Sequence, residues 1–118
     1  RHITIFYTTI LIIKEVERIS EQLKQPLYKA SLQLLLCEAL LETEPFRAQH
    51  IHSTVDIVMI ETIESATANR LVARWWALRA FLEPQQKVPS IREAILRFRL
   101  SGCPNRARNL SKQLHQSI

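Results

Sequence analysis

Residues 69–83 read Asn-Arg-Leu-Val-Ala-Arg-Trp-Trp-Ala-Leu-Arg-Ala-Phe-Leu-Glu, and they hold both tryptophans of the chain. Leu71, Trp75, Leu78 and Leu82 are spaced 4, 3 and 4 apart, which sets them on one face of a helix. Val72, Ala73, Trp76 and Ala80 make a second apolar face beside it. Arg70, Arg74, Ala77 and Phe81 lie on a third. A helix apolar on two sides is usually packed between neighbours rather than laid on one surface. This stretch therefore predicts a central core helix in an all-α protein. Burying tryptophan is worth much, since replacing one with alanine typically costs roughly 3–5 kcal/mol. A sharper reading leaves one ring half-exposed in a binding groove with arginines as rim anchors.

Composition agrees with a helical fold. The 118 residues are 47% hydrophobic and 23% charged, ordinary values for a folded domain long enough to bury a core. The one glycine, Gly102, excludes phosphate-cradling loops and dinucleotide-binding turns, which need several glycines for positive φ and close backbone approach. No cofactor is expected. The longest apolar run, Ile3–Ile13, stops at Lys14 and falls short of the roughly 20 residues of a membrane span. Two cysteines do not make a disulfide scaffold, which points to an intracellular protein, cytoplasmic or nuclear. Cys37 reads as a small buried hydrophobe, and Cys103 lies in a turn near a helix start and several arginines. The chain opens on Arg1, so the expectation is a processed chain or an excised piece: a single helical domain over 1–118, or a fragment of a larger helical-repeat protein.

Outward from the tryptophans, the pattern predicts one long helix over 3–24, although Ile3–Ile13 is β-branched enough to compete as a strand. Helices follow over 27–43 and 46–65, the first with Leu32, Leu35, Leu36, Ala39 and Leu40 as one apolar face, broadened by Leu34, Cys37 and Leu41. Thr67 or Asn69 can cap the tryptophan helix, which Pro84 ends. Ser90-Ile91-Arg92-Glu93 reads as a capping box opening a helix to about Leu100, and Ser101-Gly102 as its stop. A last helix, 105–116, has Ala107, Leu110 and Leu114 on its apolar side. Every second helix start is 40 or 44 residues apart (27 to 67, 46 to 90), a period suited to stacked antiparallel pairs in an α-solenoid-like array. A closed bundle of five to six helices fits as well.

Charge divides the chain. Residues 1–65 carry 6 Lys/Arg against 9 Asp/Glu, a net −3, and residues 66–118 carry 10 against 2, a net +8. A half this basic suggests an acidic partner. Catalytic signals are weak by comparison. His50, His52 and Asp56 are the one metal-like cluster, but on a helix His50 points about 200° away from His52, and zinc needs three or four convergent ligands. The pairs Glu15/Glu17 and Glu61/Glu64 read as solvated helix faces.

The expected function is therefore a non-catalytic protein–protein interaction or adaptor module with a basic C-terminal half. Arg70, Arg74, Trp76, Arg79, Arg97, Arg99, Arg106, Arg108 and Lys112 are its candidate partner-binding residues. The competing reading is nucleic-acid binding through a helix-turn-helix-like hairpin at 90–116, with Arg106, Arg108, Asn109, Lys112 and Gln113 on the second helix. Self-association through the apolar N-terminal helix is a third expectation.

Overall fold

A computed structural model describes residues 10–16, 18–19 and 25–117 of the chain. It is all-α. Residues 10–16, 18 and 19 are helical; the rest of the helix expected over 3–24, and with it the strand alternative for 3–9, lies outside the described residues. The helices that follow are α1 (Pro26–Leu40), α2 (Pro45–Thr54), α3 (Ile57–Glu61), α4 (Ala66–Leu82), α5 (Lys87–Leu100) and α6 (Pro104–Ser117), with a 3₁₀ turn at Pro84–Gln86. The molecule measures 40 × 34 × 23 Å.

The tryptophan helix α4 is the hub. Helices α1, α2, α3 and α5 all pack on it, and α6 packs on α5. The helices thus converge on one member, as in a bundle, rather than each touching its neighbours in series. Two cores lie on either side of that member. The larger gathers Ile13, Leu34, Leu36, Cys37, Leu40, Ile51, Val55 and Ile60 around Leu71, Val72 and Leu78 of α4, with Trp75, Trp76 and Leu82 packed against them. The smaller joins Ala73 and Ala80 of α4 to Ile91, Ile95 and Phe98 of α5 and Ala107 and Leu114 of α6. Alanines 73, 80 and 107 are the small members of this core, in which α4 packs on α5 and α5 on α6, whereas the larger core is filled mostly by branched side chains.

Several boundaries follow local chemistry. Pro26 and Pro45 open α1 and α2, where a missing N–H costs nothing. In α1 the buried residues are Ala30, Leu34, Leu36, Cys37 and Leu40; Leu34, Leu36, Cys37 and Leu40 belong to the expected apolar surface, while Leu35 and Ala39 face outward instead of inward. The Cys37 thiol donates to the Ala48 carbonyl at 3.3 Å, and burial pushes its pKa up to about 11. The helix expected over 46–65 is broken in two. Val55 adopts an extended conformation, and Asp56 caps α3 by accepting from the Met59 N–H at 3.2 Å. A β-branched run next to a good N-cap residue favours this break over a continuous helix. Ser65, not Thr67 or Asn69, caps α4, accepting from the Ala68 N–H at 3.0 Å.

The capping box expected at Ser90–Glu93 does not form. The 3₁₀ turn after Pro84 starts α5 at Lys87, which places Pro89 in a first turn that tolerates it and leaves Ser90 inside the helix, buried. Glu93 instead accepts from Arg97 Nε at 3.1 Å. The end of α5 falls where expected. Gly102 has φ +76°, the Cys103 N–H donates to the Phe98 carbonyl (2.8 Å) and the Gly102 N–H to the Arg99 carbonyl (3.2 Å), which is a Schellman closure. That turn directs α6 back along α5.

Candidate docking groove

The core stripe of α4 has two flanks, and they end differently. On one flank stand Trp76 and Arg79, close to Trp75 and to His52 of α2. His52 Nε2 donates to the Trp75 carbonyl at 2.9 Å, and Trp75 Nε1 donates to the His52 carbonyl at 3.3 Å. The two rings stack, 4.4 Å between centroids and 17° between planes, and Trp76 meets Trp75 edge-on at 5.0 Å. The Arg79 guanidinium lies 5.2 Å from the Trp76 ring centre and 5.9 Å from that of Trp75, and it pairs with Glu83. Arg79 and Glu83 satisfy each other and the rings pack together, so this flank is closed, although the buried Trp76 Nε1 has no hydrogen-bond partner among the described residues. Burial holds the His52 pKa below the usual histidine range, against the opposing pull of its bond to the Trp75 carbonyl.

The metal-like trio is dispersed by the same packing. His52 serves Trp75, Asp56 caps α3, and His50 is exposed. Among the described residues no three His, Cys, Asp or Glu side chains converge.

The other flank is Arg70, Arg74, Ala77 and Phe81, with the same 4-3-4 spacing as the core stripe, shifted by one residue. Helix α6 stands across from it, and α5 forms the floor between them. The channel is a chain of three linked cavities. One, about 260 Å³, is lined by Ala77, Ala80, Phe81, Ile91 and Leu110, with Lys87, Gln113 and Gln116 at the edge. The next, about 280 Å³, shares Ala77, Phe81 and Leu110, adds Leu78 and Phe98, and is rimmed by Glu38, Arg74, Arg106 and Asn109. The third, about 430 Å³, lies among Ser31, Thr67, Arg70, Leu71, Arg74, Cys103 and Arg106. The result is a groove with an apolar middle and an arginine-lined end. Phe81 is 62% exposed, a large aromatic left uncovered in its wall.

Of the nine candidate partner-binding residues, three meet in this groove: Arg70, Arg74 and Arg106. Trp76 and Arg79 belong to the closed flank. Arg97 is bound to Glu93 and lies 4.0 Å from Glu61. Arg99, Arg108 and Lys112 are exposed. Arg108 is about 200° around α6 from Arg106, and Lys112 is one turn further on from Arg108, so the cations of α6 divide between two flanks. Sequence reasoning did not single out Ala77, Phe81, Phe98 or Leu110 as groove residues. The shifted 4-3-4 pattern was the available signal, but an alanine and two arginines in it look like an ordinary solvated side.

The sequence matches no protein-family model, no curated protein and no solved structure. Among the described residues no helix is long and apolar enough to cross a membrane.

Proposed function

We propose that the chain is a non-catalytic helical interaction module that holds an amphipathic, acidic segment of a protein partner in the groove between α4 and α6. One observation carries this reading: on the Arg70–Arg74–Ala77–Phe81 flank of α4, Arg70 and Phe81 stand exposed beside an apolar floor, while on the opposite flank Arg79 lies on the tryptophan rings and pairs with Glu83. A helix lying in such a groove presents apolar residues every third or fourth position to the floor and polar ones to the rim. The rim here carries Arg74, Arg106 and Lys87 against Glu38, which favours an acidic occupant and disfavours a basic one. The division of the α6 cations between two flanks supports a groove-bound peptide over a nucleic acid laid along the 90–116 hairpin.

The test uses two designed helical peptides with the same leucine spacing, one with glutamates on its polar face and one with lysines. The acidic peptide binds, more weakly as salt rises, and Arg74→Glu with Arg106→Glu weakens it at least tenfold. Equal binding of the lysine peptide, or indifference to the charge reversals, would overturn the proposal. Tighter binding of a DNA or RNA duplex than of either peptide would transfer the site to nucleic acid.

A further inference from the structure

We propose that the arginine-lined end of the groove is a site for a phosphate monoester dianion, carried by a phosphorylated serine or threonine of the docked segment. For the source of the phosphate, though not for the anion site itself, this rests on the docking reading. Arg70 and Arg74 stand one turn apart on α4 and Arg106 stands in the first turn of α6, so two helices bring three arginines to the lining of one cavity of about 430 Å³. Ser31 and Thr67 add hydroxyl side chains to its lining.

The charges there do not balance. Arg74 Nε donates to Glu38 at 3.1 Å. Among the described residues Arg70 reaches the Thr67 hydroxyl, at 3.4 Å, but no carboxylate, and Arg106 lies over the Phe98 ring at 5.5 Å, also without one. Three cations thus face one carboxylate. A docked aspartate or glutamate would bring a single negative charge; a phosphorylated side chain brings roughly −1.5 to −2 and three acceptor oxygens. Guanidinium forks match those oxygens in pairs. Helix α6 adds a favourable field, because Cys103 at its start lines the cavity and its first turn holds no acidic side chain. A nucleic-acid backbone fits less well. Its phosphodiesters are singly charged and repeat along the strand, whereas this cluster is single and excludes Arg99, Arg108 and Lys112.

The probe is the acidic peptide above with one serine added at either end, prepared unphosphorylated and phosphorylated, and its binding is measured by calorimetry. Phosphorylation at one of the two ends tightens binding about tenfold or more, the scale of a charge-assisted hydrogen bond lost or gained. That gain disappears in Arg70→Ala and in Arg106→Ala, persists in Arg108→Ala, and is competed away by inorganic phosphate. Circular dichroism confirms that each variant is folded. No gain on phosphorylation, or a gain lost in Arg108→Ala but kept in Arg70→Ala, overturns the proposal. So does a thymidine oligonucleotide that displaces the phosphopeptide at lower phosphate concentration than inorganic phosphate does. The two readings fail separately. Unphosphorylated peptide that binds with no gain from phosphate leaves docking intact and removes the anion site. Inorganic phosphate that shifts the amide resonances of Thr67, Arg70 and Arg106, while no peptide binds, keeps the anion site and removes docking.

Discussion

The two flanks of α4 carry similar residue types and reach opposite ends. Each has arginine and an aromatic ring within one or two turns. On the Trp76–Arg79 flank the arginine lies on the rings and pairs with Glu83, and His52 and Trp75 exchange hydrogen bonds across the helix interface. On the Arg70–Phe81 flank the aromatic is uncovered, and two of the three nearby arginines have no carboxylate among the described residues. The lesson is that composition does not separate a structural cluster from a binding surface. What separates them is whether the surroundings supply all the complementary groups. On one side α2 gives Trp75 a stacked ring and a carbonyl, and Glu83 just past the end of α4 pairs with Arg79; on the other, Glu38 of α1 meets Arg74 alone and Arg70 and Arg106 have no carboxylate among the described residues.

The largest effect is expected at the closed flank. Trp75→Ala removes a ring packed on the larger core together with its stack and its bond to His52, and should cost about 3–5 kcal/mol in chemical denaturation. A loss below about 1 kcal/mol would mean that the flank is not closed in solution. Next comes the hinge that sets the far wall of the groove. Gly102→Ala meets open space for its Cβ but must hold φ near +76°, so it should cost about 1–2 kcal/mol. Unchanged stability would show that the α5–α6 turn is not fixed as described.

A pH titration sharpens the contrast further. Burial lowers the His52 pKa in the folded state below the ordinary histidine value of about 6.5. Below that value the unfolded chain therefore binds the proton more readily than the folded one does. The stability from the neutral ring is complete above about pH 6.5 and is lost as pH falls from there through the folded pKa. Melting temperature should drop over this acid range, and His52→Gln should flatten the drop. An identical slope in the variant would place the titration elsewhere. The smallest stability effect belongs to the open flank: Phe81→Ala should change stability by less than about 0.5 kcal/mol, as an exposed substitution does, while weakening the acidic peptide. Equal losses at Trp75 and Phe81 would erase the distinction between the flanks.

Much of the fold was legible because the apolar period of 3.6 is strong in 27–43 and 69–83, and because Gly102 has one role available to it. The central position of the tryptophan helix followed from its two apolar faces. What was not legible depended on neighbours. Ser90–Glu93 satisfies the pattern of a capping box, yet the 3₁₀ turn at Pro84–Gln86 starts the helix three residues earlier, at Lys87. The stretch 46–65 keeps helical spacing through Val55, and only the competition between a β-branched residue and the Asp56 cap breaks it. At the candidate site, three of the eight cations singled out, Arg70, Arg74 and Arg106, converge. Charge marked the basic half, but which cations share a cavity depends on the rotation of α6 about its own axis. Phe81 escaped notice because its neighbours in the pattern are arginine and alanine.

The account rests on the occupancy of one groove, and amide chemical-shift mapping with the acidic peptide tests this most directly. It predicts saturable shifts concentrated at Arg70, Arg74, Ala77, Phe81 and Leu110, with Trp76, Arg79, Arg108 and Lys112 nearly unmoved. Shifts centred on Arg108 and Lys112, or spread evenly over the basic half, would contradict it.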